Sequence, residues 1–307
     1  MEGGKKIDKF GNTPSRILFI CLLLFIPMLN FVIFTVYANF GGILLAFRQF
    51  DGTKEYFAGF ANFIKFFRDW NVSDYGKTLG VSFAYLPIVG LISLPISLVT
   101  SYFLYKKIPC AKFFVIILFL PNIIPAAVMA EFYRRLWDAG GGLVETGALN
   151  RFFSLFTGRE INWLTNPEYA NQALWLYTVW FGFGYNAILL WGAMNRVPKE
   201  LVESAKLDGA GLCREFFSIT VPIIWPTLSM VIVLTAMVPF TIYMQPLIIC
   251  ANGDYGTRTI ALLAMQEIKR PDVYFAAAIN IMLACVSIPF VLIVKKLTDK
   301  AFAVVEV

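Results

Sequence analysis

The chain contains no histidine, which excludes a Ser-His-Asp or Cys-His site and removes one of the usual zinc ligands. Charge is scarce as well: 15% of the 307 residues are Asp, Glu, Lys or Arg, against about a quarter in soluble globular domains. The five cysteines, Cys21, Cys110, Cys213, Cys250 and Cys285, stand singly in different segments. Neither a disulfide framework nor a C-x-x-C redox site is readable from that spacing. A G-x-x-x-x-G-K-[ST] loop is missing, and with it a common device for holding nucleotide phosphates. These absences argue against an enzyme and against any cofactor bound by the chain itself.

Apolar length is what the chain has in abundance: 58% of its residues are hydrophobic and 16% aromatic. Segments 17–37, 79–104, 113–132, 172–194, 221–246 and 273–294 each hold mostly apolar residues. A helix needs about 20 such residues to cross the hydrocarbon of a bilayer, so the pattern predicts an all-α membrane protein with six spans. Runs such as "FFVIILFLP" and "IALLAMQ" do not alternate in polarity, which is the pattern a β-barrel would need. The first apolar stretch, "RILFICLLLFIPMLNFVIFTVY", is too long for a cleavable leader and has no small-residue cleavage site after it.

Basic residues close to span ends set the expected orientation, because short loops dense in Lys and Arg stay in the cytoplasm. Lys5, Lys6, Lys9 and Arg16 place segment 1–16 inside. Alternation then places Lys106, Lys107 and Lys112 inside, together with the tail 299–307 that follows Lys295 and Lys296 and contains Lys300. Loops 38–78, 133–171 and 247–272 fall outside. Both termini are therefore expected in the cytoplasm of a multi-pass protein of the cell membrane. The net charge of +6 is read as a topology signal toward lipid and not as a nucleic-acid footprint.

One polar segment is patterned: "VPKELVESAKLDGAGLCREFFSITVPIIWP", residues 197–226. Pro198 suits a helix start. "KELVESAKL" puts Leu201, Val202 and Ala205 on one side and Lys199, Glu203 and Lys206 on the other. Gly209 and Gly211 permit a sharp turn, and "LCREFFSI" resumes helical spacing with Leu212, Phe216 and Ile219 on one face before Pro222 and Pro226. Two short helices along the membrane surface are expected, with apolar knobs that suit a partner's groove. The plainer alternative is a surface-lying amphipathic loop helix.

These residues resemble the EAA loop of ABC importer permeases, matched by Glu203, Ser204, Ala205, Asp208, Gly209, Ala210, Phe216, Ile219 and Pro222. Ser204 stands where the family has alanine. "FAGFANFIKFF", "LPNIIPAAVMAEFYRRLWDAGGG", "GALN" and "NWLTNPEYA" are similar to the carbohydrate-uptake branch, of the maltose type. "ICANGDYGTRT" departs from the glycine-rich, proline-ended stretch found there. The resemblance covers residues 17–298. It implies the six-helix type I importer fold, with a coupling loop over 195–221 that engages an ATPase subunit through residues 197–222. The implied partners are a second permease, two ATPase subunits that use ATP and Mg, and an extracytoplasmic solute-binding protein. The chain would then be half of a pore and not itself an enzyme.

A sugar pathway combines aromatic platforms with amide or hydroxyl groups. Thr178, Gly182, Tyr185 and Asn186 fall near one face of the fourth span, and Tyr243, Gln245 and Asn280 are the candidates on the fifth and sixth. Ordinary helix packing is the competing reading. Glu131 is read as a boundary residue paired with Arg134 or Arg135, and the alternative is a place in the outer mouth. Pro87, Pro95, Pro121, Pro125, Pro239, Pro246 and Pro289 are expected to bend helices. An importer of amino acids or peptides, and more remotely a secondary transporter, remain as alternatives, although the spans carry almost no deep charge of the kind ion-driven carriers use.

Overall fold

The computed structural model describes residues 14–70, 74–140, 145–268 and 273–301. Lys5, Lys6 and Lys9 and the tail after residue 301 lie outside the described residues. Four long apolar helices reach membrane-spanning length much as the sequence predicts: α1 (Ile17–Ala46), α3 (Tyr75–Tyr105), α7 (Ala170–Met194) and α12 (Val273–Ala301). α1, α3 and α12 are longer than their apolar segments, because helical backbone continues into the polar flanks.

The third and fifth spans differ from expectation. Segment 113–132 is not one helix but two, α4 (Ala111–Ile123) and α5 (Ala126–Trp137), bent by 102° at the junction. Pro125 forces its predecessor Ile124 into extended backbone, with ψ 138°, since a residue before proline is disfavoured in the helical region. The fifth span, α9, runs over Leu212–Thr241 and not 221–246. Its first turns are what the sequence reading took for a second surface helix. Three stretches, Phe31–Tyr37, Val89–Ser93 and Phe216–Thr220, widen to five-residue hydrogen bonds, with Ala38 N donating to Ile33 O, Leu94 N to Val89 O and Val221 N to Phe216 O. The second and third each end two residues before a proline, Pro95 or Pro222. A proline cannot donate to the carbonyl four residues back and clashes with it, so the preceding turn opens. Pro289, by contrast, lies in the unbroken α12.

Shorter elements close the ends: the hairpin β1 (Arg48–Phe50) and β2 (Glu55–Phe57), α2 (Ala61–Arg68), α6 (Ala148–Thr157), α8 (Lys199–Leu207), α10 (Met244–Ile249) and α11 (Ile260–Ile268). The hairpin pairs antiparallel with Arg48 opposite Phe57. At its turn Asp51 accepts from Thr53 N, Thr53 Oγ1 and Lys54 N at 2.7–2.9 Å, which holds its carboxyl down at about 2. The buried amide of Asn62 donates to Ala46 O and Arg48 O and accepts from Gln49, tying the end of α1, the hairpin and α2 together.

Close backbone approach builds the centre. Ser93, Ser97 and Ser101 recur every four residues on α3, all fully buried, and Ser97 Oγ reaches Phe183 O on α7 at 3.0 Å. α4 crosses α7 at Gly184, where a Cβ would fall 1.9 Å from Leu118 O. Small residues let membrane helices approach in this way without a hydrophobic drive. Gly184→Ala is therefore expected to destabilise the purified protein by about 1–3 kcal/mol or more, the scale of an overpacked core. Gly182→Ala should be far milder, because its nearest neighbour would be at 3.9 Å. Thermal unfolding of both variants in detergent checks this; equal melting temperatures would count against the close crossing.

Candidate functional site

The patterned segment forms one helix and a turn. α8 starts after Pro198, whose ψ of 130° keeps it outside the helix, and ends in a Schellman turn with Ala210 N donating to Ala205 O and Gly209 N to Lys206 O. Gly209 has φ +76° with open space where a Cβ would be, so glycine is needed there for conformation and not for contact. The chain then enters α9 directly.

Burial sorts the side chains differently from the simple face reading. Val202 is the buried apolar residue of α8 and joins Tyr102, Leu190, Met194, Val197, Phe216 and Val221 in one cluster. Of the three residues expected on one face, Phe216 is buried in the chain's own core, Ile219 is half-buried and Leu212 is 63% exposed, while Glu215 is only 1% exposed. Leu207 at 90%, Leu212 at 63% and Phe217 at 66% exposure surround the turn. Glu203, Ser204 and Asp208 are exposed too, and Glu203 has no ion pair among the described residues. Leu207, Leu212 and Phe217 thus stand uncovered by the rest of the chain, in the same segment as a carboxylate that has no ion pair among the described residues.

The buried Glu215 forms an ion pair with Lys106, in the elbow after α3. The ammonium also lies 5.2 Å from the Tyr102 ring and 5.5 Å from that of Tyr105, and Tyr102 Oη reaches Leu212 O at 3.3 Å. This clasp joins three things: the second span, the turn after α8 and the base of the fifth span. Sequence reasoning missed it; the available signal was an acid three residues after Leu212, one helical turn on.

The candidate pathway residues do not form a closed pocket within this chain. Thr178 Oγ1 donates to Leu174 O at 2.9 Å and Asn280 Nδ2 to Ala276 O at 3.0 Å, so each returns to its own helix. Gly182 faces Ser93 on α3, while Tyr185 and Asn280 are exposed and Asn186 is half-buried. Tyr243 and Gln245 sit at the break between α9 and α10. Glu131 is bonded to both Arg134, by two bonds of 2.7 Å, and Arg135 at 2.8 Å, the boundary role the sequence suggested. Beyond it, Arg134, Trp137, Asp138, Asn162, Trp163 and Thr165 line a hollow of about 430 Å³. Burial pushes the Cys250 thiol up to about 12, which keeps it protonated and unreactive.

No protein-family model matches the chain. Among curated proteins it is similar to the diacetylchitobiose uptake system permease of Streptomyces coelicolor, 29% identical over 93% of this chain and 84% of that one. It is also similar to the sn-glycerol-3-phosphate transport system permease of Yersinia pestis, 30% identical over 74% of this chain and 77% of the relative. The chain belongs to the permease family of ABC importers. A bacterial ABC transporter that imports alginate has the same fold as the permease, with a TM-score of 0.79 at 20% identity over 93% of this chain and 96% of that one. The reading as a secondary transporter is set aside by this membership.

Within the permease, the clasp is expected to behave as a buried ion pair. Lys106→Met alone leaves a carboxylate without a partner and should cost about 3–5 kcal/mol, whereas Lys106→Met with Glu215→Leu should recover most of that loss. Melting temperatures of the two variants decide it: no recovery in the double variant contradicts the pairing.

Proposed function

We propose that this permease is the pore-forming subunit of a binding-protein-dependent importer for a sugar or oligosaccharide, and that residues 197–222 are the handle by which an ATPase subunit drives it. The observation that carries this reading is the ridge of Leu207, Leu212 and Phe217 exposed around the Gly209 turn, beside the unpaired Glu203. Large apolar side chains that the chain itself leaves uncovered at a turn between two helices are suited to a partner that covers them. Glu203, Ser204, Ala205, Asp208, Gly209, Ala210, Phe216, Ile219 and Pro222 build that handle, and a basic residue of the ATPase is the natural partner for Glu203. ATP and Mg act in the partner, and this chain contributes motion without chemistry.

A second permease would complete the pathway. The first span supports this: α1 carries no buried residue over its apolar window, so that stretch is free for lipid or for another subunit. Thr178, Gly182, Tyr185, Asn186, Tyr243, Gln245 and Asn280 are then the candidate wall of a shared cavity. An extracytoplasmic binding protein would deliver solute at the end that carries the hollow near Trp163, with both termini in the cytoplasm. The saccharide-uptake relative, similar over nearly the whole chain, favours a sugar. Rotation of the handle would switch the two halves between inward and outward packings as rigid bodies.

Glu203→Lys and Gly209→Asp are each expected to leave the permease in the membrane while lowering both ATPase co-purification and solute-stimulated ATP turnover about tenfold or more, as reversal of an interfacial charge or distortion of its turn should. Wild-type co-purification and turnover in both variants would refute the handle. Stimulation of the assembled importer by a loaded saccharide-binding protein tests the substrate class separately, and stimulation only by an amino-acid- or peptide-loaded one would replace it.

A further inference from the structure

A second feature lies on the cytoplasmic side, in the angle between the elbow after α3 and the start of α8. A hollow of about 400 Å³ is lined there by Tyr105, Lys106, Lys107, Asn195, Lys199 and Lys206, with Glu203 at its edge. That volume is in the range of sites for small ligands, about 300–1,000 Å³. Four lysines contribute to its lining. Lys106 is satisfied by the buried Glu215, but Lys107, Lys199 and Lys206 have no ion pair among the described residues. Against these three stands the single carboxylate of Glu203. Like charges around one concavity repel, so the hollow is built for an anion.

Its place in the chain narrows the anion. Tyr105 and Met194 are the last residues of two spans, so the hollow opens where helices leave the hydrocarbon, on the side that the density of basic residues puts in the cytoplasm. Basic pockets between spans at that level suit anionic headgroups. The backbone reinforces the site: Lys107 has φ +56°, an uncommon conformation for a residue with a side chain. The elbow keeps it through a hydrogen bond from Lys107 N to Leu104 O at 3.1 Å. Asn195 spends its amide N–H on Trp191 O, which leaves its carbonyl oxygen for a hydroxyl donor such as that of a glycerol headgroup.

We propose that this hollow binds the phosphate group of an anionic phospholipid from the cytoplasmic leaflet, with Lys107, Lys199 and Lys206 as its ligands. A lipid seated there would touch the elbow and α8 together, beside the clasp that joins them. The site is independent of which solute the importer carries, and it requires only the membrane orientation given above.

The test uses the full-length purified permease in nanodiscs of phosphatidylcholine doped with spin-labelled phosphatidylglycerol or spin-labelled phosphatidylcholine. The immobilised fraction is expected to be several-fold larger for phosphatidylglycerol. Lys107→Gln with Lys199→Gln should abolish the difference, and Lys107→Arg with Lys199→Arg should keep it, which separates charge from misfolding. Millimolar inorganic phosphate or glycerol phosphate should not displace the labelled lipid; displacement would assign the hollow to a free phosphate and overturn the lipid source. Equal immobilisation of the two lipids, or a preference that survives the Gln pair, overturns the site. Lipid selectivity unchanged in the Gln pair together with weakened ATPase co-purification would mean that an acidic surface of the ATPase is the occupant, and would overturn it as well.

Discussion

One buried knot fastens α8 to the helix bundle. Val202 from α8 enters a cluster with Tyr102, Met194 and Phe216, and beside it Glu215 closes on Lys106. The apolar part resists separation in any direction, because the hydrophobic effect is non-directional. The ionic part fixes register, since a buried charge tolerates few geometries. Together they couple α8 to the ends of the second, fourth and fifth spans. If α8 is the handle proposed above, its displacement would be delivered to three helices at once and not absorbed in a loose loop.

The motifs that resemble the sugar-uptake branch have a structural explanation at the other end of the molecule. Asn62 of "FAGFANFIKFF" knots α1, the hairpin and α2. Asn150 of "GALN" donates to Ile161 O and Asp138 O and accepts from Ile161 N. Gly147 of the same motif lies where a Cβ would meet Leu136 O at 2.3 Å. Asn166 of "NWLTNPEYA" caps Glu168 N at 2.9 Å. In each, an asparagine amide satisfies main-chain groups of irregular backbone, buried or half-buried around Asn62 and Asn150, where unsatisfied groups are expensive. These motifs hold the loops at that end in shape and carry fold information.

This division explains what was legible in the sequence. Apolar length alone located the five helices of spanning length, and the bent pair that stands where the third span was expected, and the Gly209 turn and the Glu131 pairing followed from local rules. The break between α4 and α5 did not follow, because hydropathy sums residues without regard to direction, and Pro121 and Pro125 signal a bend without its angle. The clasp of Glu215 on Lys106 did not follow either, because the two residues stand 109 positions apart and no local pattern pairs them.

The same accounting bears on the candidate pathway. In a bilayer every polar group needs a partner, and here Thr178 and Asn280 find theirs in Leu174 O and Ala276 O of their own helices. The bond uses the donor of the threonine hydroxyl and one amide hydrogen of the asparagine, and it leaves the lone pairs of Thr178 Oγ1 and the carbonyl oxygen of Asn280 available. Residues that spend donors on their own backbone present acceptors outward. If Thr178 and Asn280 line the pathway as proposed, these acceptors, together with the remaining amide hydrogen of Asn280, would suit the hydroxyls of a sugar, which donate and accept alike. With Lys and Arg almost confined to the ends of the spans, such a wall would offer a solute hydroxyl, amide and aromatic groups and little charge.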